Sequence, residues 1–242
     1  MQDKAENAGG IYIGPSGDYG YRVDFQSDNT IDVYVVDTTY SYYGYTTQDG
    51  WQTERHVIDD DDPFATYTIP TECPLIFVED KVWLEGEIST KVTIAAADID
   101  TAGVDPSIIL NDDITYTNED AGLLAIGEED VLVGLVVPND MELNGIFIAQ
   151  NGRFGRNHYK TGGSEDVLDM HDAYVTRDTL TVNGTIVSNG REGTKWVGAG
   201  GAFISGFETR YNSYDRDLVA NPPPLTPETS DTYRFIEWRE VE

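Results

Sequence analysis

Apolar and polar residues alternate along the opening of the chain, at Ile11 and Ile13, at Tyr21, Val23 and Phe25, and at Ile31, Val33 and Val35. That period of two predicts half-buried strands, with Asp28-Asn29 as a hairpin turn between the last two runs. The pattern changes after Pro70. Leu75-Ile76-Phe77-Val78, Val82-Trp83-Leu84, Val92 to Ala96, Ile108-Ile109-Leu110, Leu123 to Ile126 and Val131 to Val137 are nearly continuous apolar runs. Such runs predict strands covered on both faces, as in the interior of a parallel stack. Between them, Asn111-Asp112-Asp113 reads as the turn of a strand-turn-strand unit ending at Ile114-Thr115-Tyr116.

A glycine phrase recurs through this second region. Met141 to Gly152 and Leu180 to Gly190 both run strand, Asn-Gly, strand, Asn-Gly, and Val82 to Ile88 carries a looser form around Gly86. Glycine accepts positive φ at little cost, so a repeated apolar-x-Gly-x-apolar phrase marks a backbone corner used more than once. Gly86 and Gly145 are 59 residues apart and Gly145 and Gly184 are 39 apart, near multiples of a coil of about 20 residues. The expected fold is therefore all-β: a right-handed, single-stranded β-helix (a solenoid) with a strand-rich N-terminal cap and a C-terminal capping strand. Residues 1–69 form the cap region in this reading. Residues 70–242 form the solenoid, interrupted by a loop excursion at 153–178 and left through the Pro-rich stretch Asn221 to Pro227. Three consecutive prolines cannot donate to a ladder, so the chain leaves the sheet there, and an alternating strand over 233–240 returns to cover the open end.

Composition narrows the partners. With 44 Asp and Glu against 15 Lys and Arg, the formal charge is −29, which repels phosphate backbones and anionic lipid. Nucleic acid and direct membrane contact are excluded as partners on that ground. The single Cys73 allows no internal disulfide and reads as an inert packed thiol. The polar opening Met1 to Gly10 reads as the stub that remains once an anchor or leader has been removed.

The acidic runs invite a metal reading. Asp59, Asp60, Asp61 and Asp62 are four adjacent carboxylates before a proline, expected in a loop, and Ca²⁺ is the ion that takes several carboxylate oxygens. Asp98, Asp100 and Asp105 occupy positions 1, 3 and 8 of an EF-hand-like loop with Gly103 at position 6. However, Ala102 stands at position 5 and Ile109 at the last. Both clusters read first as solvated acidic turns and second as Ca²⁺ ligands. The binding reading falls on Arg153, Phe154, Arg156, His158 and Tyr159, the one dense basic-aromatic stretch, at the start of the excursion. Its alternative is that the arginines answer surrounding carboxylates. A short helix through Val167-Leu168, capped from Ser164 to Asp166, follows in the same excursion. The aromatic run Thr39 to Tyr45 is either a binding edge or a set of rings packed on a neighbouring strand with wet hydroxyls.

No Walker loop, dinucleotide fingerprint, CxxC or HExxH motif is present, and three histidines with one cysteine are a poor zinc set. A polysaccharide lyase or hydrolase on a β-helix would need facing carboxylates, for which Asp112 and Asp113 are candidates, with Arg153, Arg156 and His158 beside them. No pair among 44 acids is singled out.

Val182-Asn183-Gly184-Thr185-Ile186-Val187-Ser188-Asn189-Gly190, Phe154-Gly155 followed by Tyr159, and Asn221-Pro222-Pro223-Pro224 with Pro227 and Trp238-Arg239-Glu240 give the chain a family likeness. Over residues 70–242 it resembles the β-rich extracellular region of bacterial type IV pilus assembly and minor-pilin-like surface proteins. The resemblance implies an exported, extracellular, pilus- or envelope-associated module with structural or adhesive duty, whose partners are other pilus or envelope proteins or surface glycans. Its motifs are structural and none is catalytic, and the one cofactor candidate is the Ca²⁺ of the acidic runs. The competing expectation is a carbohydrate-active β-helix enzyme.

Overall fold

The computed structural model describes residues 1–99, 104–163 and 166–227, and the fold is all-β. A short helix α1 (Gln2–Asn7) precedes β1 (Ile11–Ile13), β2 (Tyr21–Phe25), β3 (Thr30–Thr46) and β4 (Gly50–Thr68). There follow β5 (Leu75–Val78), β6 (Val82–Ile88), β7 (Lys91–Ala96), β8 (Ile108–Tyr116), β9 (Gly122–Gly127), β10 (Val131–Val133), β11 (Asp140–Ala149) and β12 (Phe154–Gly155). The last strands are β13 (Thr176–Ser188), β14 (Lys195–Val197) and β15 (Phe203–Ser213), then a helical turn, α2 (Arg216–Ala220). The fifteen strands among the described residues belong to one mixed sheet that curls into a nearly closed, barrel-like wall.

Most neighbours beyond the N-terminal region pair in parallel, and rows of equivalent residues run across them. Tyr21, Val82, Ile108, Val131 and Phe154 stand in one row. Ile11, Ile76, Ile94, Ala125, Phe147 and Ile186 stand in another. The inward side chains of both rows, with Val23, Leu84, Leu110 and Leu143, form one continuous apolar core. The outward faces are covered too, which accounts for the continuous apolar runs. Trp83, Ile109 and Leu132 pack beneath Val36 and Ile58 of the β3–β4 hairpin. Leu75, Phe77 and Ala95 pack beneath Ala5 of α1 and Leu225 of the Pro-rich stretch. The polar opening carries a short helix with one buried alanine.

The two longer glycine phrases are direct neighbours. Gly145 faces Gly184 in register, within a ten-residue match running from Asp140 opposite Thr179 to Ala149 opposite Ser188. Both have positive φ, at 152° and 149°, and a β-carbon on Gly184 would collide with the Gly145 carbonyl oxygen. Only glycine fits two chains that close together. The 39-residue spacing is therefore one step across the sheet and not two coils, because the two phrases pair directly with each other.

Three further expectations change. Residues 108–116 form a single strand, in which a register shift opposite Leu84 and Gly86 absorbs Asn111 to Asp113. The run Asp59 to Asp62 lies inside β4, not in a loop. β4 is an outermost strand whose alternation sends neighbouring carboxylates to different sides, so they avoid one another without a turn. The helical turn of the excursion is Asp169–Tyr174, later than expected and without a side-chain cap, because Val167 is instead drawn into a small apolar cluster. Ser164 and Glu165, like the returning strand over 233–240, lie outside the described residues. At Asp28-Asn29 the turn expected from the sequence joins β2 to β3, with Asn29 at φ 70°. No helix is long and apolar enough to cross a membrane among the described residues.

Candidate functional site

In four of the five strands of the first row, the residue just before the row position is polar. Lys81, Ser107, Asp130 and Arg153 precede Val82, Ile108, Val131 and Phe154, and backbone hydrogen bonds tie them into a column. The Val82 amide donates to Ser107 O at 3.0 Å, Ile108 to Asp130 O at 2.9 Å and Val131 to Arg153 O at 3.0 Å. Parallel pairing at the strand starts thus stacks four chemically different side chains along one corner of the sheet.

The far half of the β3–β4 hairpin lies over this column and closes a cavity of about 610 Å³. The hairpin is fastened at several points. The Trp83 indole donates to His56 O at 2.7 Å. Tyr45 and His158 exchange two backbone hydrogen bonds at 2.9 and 3.0 Å. The Tyr42 hydroxyl bonds His171 Nδ1, where burial keeps the imidazole pKa low and the phenol pushed up to about 12. A neutral imidazole therefore accepts from a neutral hydroxyl.

Glu54 is the inner anchor. Its carboxylate accepts from the Tyr159 hydroxyl and the Asn157 amide, with His56 Nδ1 at 3.6 Å. Burial pushes this carboxyl pKa upward, but His56, Tyr159 and Asn157 outweigh it and hold Glu54 below the ordinary carboxylate range. Gly44 lies close by, and a β-carbon there would collide with the Glu54 carboxylate. Asn157 in turn accepts from Arg153, so the chain of contacts runs from hairpin to column.

On the column itself, Lys81 Nζ is 2.9 Å from Asp105, and Ser107 Oγ donates to Asp105 at 2.6 Å. Burial raises the Asp105 pKa, yet Lys81 and Ser107 bring it below the usual range. Asp130 goes the other way: burial raises its pKa, only partly offset by the Arg153 amide that donates to it at 2.7 Å. The cleft therefore holds one carboxyl biased to keep a proton and two biased to lose it, among amide, ammonium and guanidinium donors. That arrangement can hold a polyhydroxyl ligand by paired donors and acceptors.

The structure divides the expected binding stretch. Arg153 reaches the cleft wall. Phe154, Arg156 and Tyr159 are instead buried, with Phe154 and Arg156 at 0% exposure. Arg156 does not answer carboxylates; it donates to the carbonyl oxygens of Gly134, Leu135 and Tyr174 at 3.1, 2.9 and 2.7 Å. Burial takes its pKa down to about 10. His158 packs among Tyr45, Trp51 and Trp196 at the hairpin.

The metal readings separate as well. Asp61 is used by Arg22 at 2.6 Å, Asp105 by Lys81, and the Asp98 amide donates to Glu128 at 2.8 Å. Asp59, Asp60 and Asp62 are exposed along β4, and Asp100 lies outside the described residues. Among the described residues, no group of three His, Cys, Asp or Glu side chains is placed to hold a metal ion. Asp112 and Asp113 sit on the opposite side of the first row from the column, where the Glu142 amide donates to Asp113 at 2.7 Å.

Glu54, Asn157, Lys81, Ser107 and Asp130 were not anticipated as site residues. Glu54 resembles any other acid in a polar strand. The column had a signal: a polar residue followed by an apolar triplet recurs as Lys81-Val-Trp-Leu, Ser107-Ile-Ile-Leu and Asp130-Val-Leu-Val. No family model, curated protein or solved structure matches this chain.

Proposed function

We propose that this protein is a non-enzymatic binding module built on a right-handed, single-chain β-solenoid, and that it holds a glycan in the cleft between the polar column and the β3–β4 hairpin. Support for the solenoid comes from the rows of in-register parallel neighbours and from the paired glycines at 145 and 184. The observation that carries the function is the cleft: fixed donors and acceptors from separate strands face a cavity within the ~300–1,000 Å³ range common for ligand sites. Sugars need such paired polar contacts, and Lys81, Ser107, Asp130 and Arg153 supply them along one wall of the cleft. The extracellular, pilus- or envelope-associated setting belongs to this proposal through the sequence resemblance, and the partners are then surface glycans or other envelope proteins.

Screening on a glycan array tests it. A defined hydroxyl-rich ligand should bind, and Asp130→Asn together with Gln52→Ala, which removes an exposed amide lining the cleft, should weaken it about tenfold, the loss of one or two good hydrogen bonds. Absence of any glycan ligand would sink the reading. A hydrolase or lyase is the second reading, favoured by one observation. Asp130 and Asp105 share Ser107, whose hydroxyl also accepts from the Asp130 amide at 3.2 Å, while their pKa values move in opposite directions. Release of new sugar ends that stops in Asp130→Asn would select the enzyme.

A further inference from the structure

A second cavity of about 260 Å³ opens on the other side of Arg153, lined by Thr46, Thr47, Arg153, Arg191, Lys195 and Trp196, with Glu192 at its wall. Three of the chain's 15 basic residues meet here, although the protein as a whole carries −29. Glu192, the carboxylate that could neutralise them, is committed to Arg210. Arg191 is exposed and makes no hydrogen bond or ion pair among the described residues. Lys195 is exposed and pairs with no carboxylate among the described residues; its ammonium donates to Glu208 O at 2.5 Å and lies over the Phe203 ring. Arg153 is 5% exposed and forms the inner end, held by Asn157. Trp196 is fixed by its indole N–H, which donates to Arg156 O at 2.9 Å, and supplies a half-buried apolar wall.

We propose that this basic pocket is a binding site for a carboxylate-bearing sugar unit, such as a hexuronate. Guanidinium groups match a carboxylate with two parallel hydrogen bonds, and Thr46 and Thr47 offer hydroxyl partners to a sugar ring. The indole wall suits the apolar C–H side of that ring. Size argues for one sugar unit, since the cavity falls below the ~300–1,000 Å³ of sites for larger ligands. Charge argues for a single carboxylate over a multiply charged anion. Repulsion from the acidic surface grows with ligand charge, whereas at physiological salt screening over about 8 Å leaves the local cations in control of a monoanion. Arg153 and Thr46 line both cavities, so a bound chain can place a neutral unit in the cleft and an acidic unit here. The pocket's own assignment does not depend on the cleft.

The test is titration of the ¹⁵N-labelled protein with glucuronate, glucose, acetate and phosphate at constant ionic strength, reading the amides of 191–197 and the Trp196 indole. Glucuronate should shift these resonances saturably while glucose and acetate do not. Arg191→Gln should weaken glucuronate about fivefold or more, and Arg216→Gln, which removes an exposed charge elsewhere, should change it by less than about twofold. Equal response to glucose, tighter binding of phosphate than glucuronate, equal loss in both variants, or no response at all would each overturn the proposal. Loss of glucuronate binding with glycan binding in the cleft intact, or the reverse, separates a failure here from a failure of the cleft.

Discussion

The parallel ladder and the β3–β4 hairpin are both strand, yet they are built on different terms. In the ladder, residues such as Val82, Ile108, Val131 and Phe154 are buried in a row, and each strand is held by neighbours distant in sequence. In the hairpin, pairing is local and broken by four register shifts, and its outer strand is largely exposed. The ladder supplies a rigid polar corner, while the hairpin supplies a cover held by a few fastenings. The cleft lies where the two meet, with Glu54 of the hairpin joined through Asn157 to Arg153 of the column. Stability is concentrated in one partner and adjustability in the other, a common division for binding sites.

That contrast can be broken from the ladder side first. Gly184→Val should cost the most, about 3 kcal/mol or more, because backbone strain adds to overpacking against Gly145. Gly145→Val should cost less, since its β-carbon would meet Leu123 Cβ at 3.2 Å, a contact that can relax. Urea midpoints check both the size and the order.

Next comes the junction. Arg156→Ala should destabilise by about 3 kcal/mol, as the carbonyls of Gly134, Leu135 and Tyr174 lose their donor in a buried space. Glu54→Ala should cost about 2 kcal/mol by leaving Tyr159 and Asn157 unpaired. Glu54 has a lowered folded pKa, so its contribution is complete above the ordinary Glu value of about 4.3 and is lost as pH falls through the lower folded value. The gap between wild-type and Glu54→Gln midpoints should therefore be constant from pH 7 to 5 and shrink below about pH 4. His171 acts in the same direction at higher pH: burial lowers its pKa, so folding loses stability as pH falls from about 6.5 toward the folded value. His171→Phe should flatten that part of the profile.

The smallest effect belongs to the exposed edge. Asp60→Asn should change stability by less than about 0.5 kcal/mol, and millimolar Ca²⁺ should leave the melting temperature unmoved. A rise of several degrees with Ca²⁺ would restore the metal reading.

How much of this was readable depends on whether the cause is local. Asn29 at a tight turn and glycine at Gly145 and Gly184 are local demands, and their residue types announce them. The continuous apolar runs announced strands covered on both faces but not what covers them, since Val36, Ile58, Ala5 and Leu225 come from distant segments. Like-charge repulsion at Asp59 to Asp62 suggested a loop because it omitted alternation on an outer strand. The site was less readable still. Glu54 becomes special only when the hairpin brings it to Asn157 and Tyr159, more than a hundred residues away. Arg156 reads in the sequence as a binding residue or a partner for carboxylates and is a buried donor to carbonyls.

Hydrogen exchange, measured with and without a glycan that binds, tests the central claim most directly. Slow exchange throughout the ladder rows is predicted, with faster exchange over 43–56 in the free protein. Ligand should add protection on both walls, at 44–56 and at 105–107, 129–130 and 151–153, and leave 112–115 unchanged. Protection confined to one wall, or appearing around Asp112 and Asp113 instead, would contradict a cleft made jointly by ladder and hairpin.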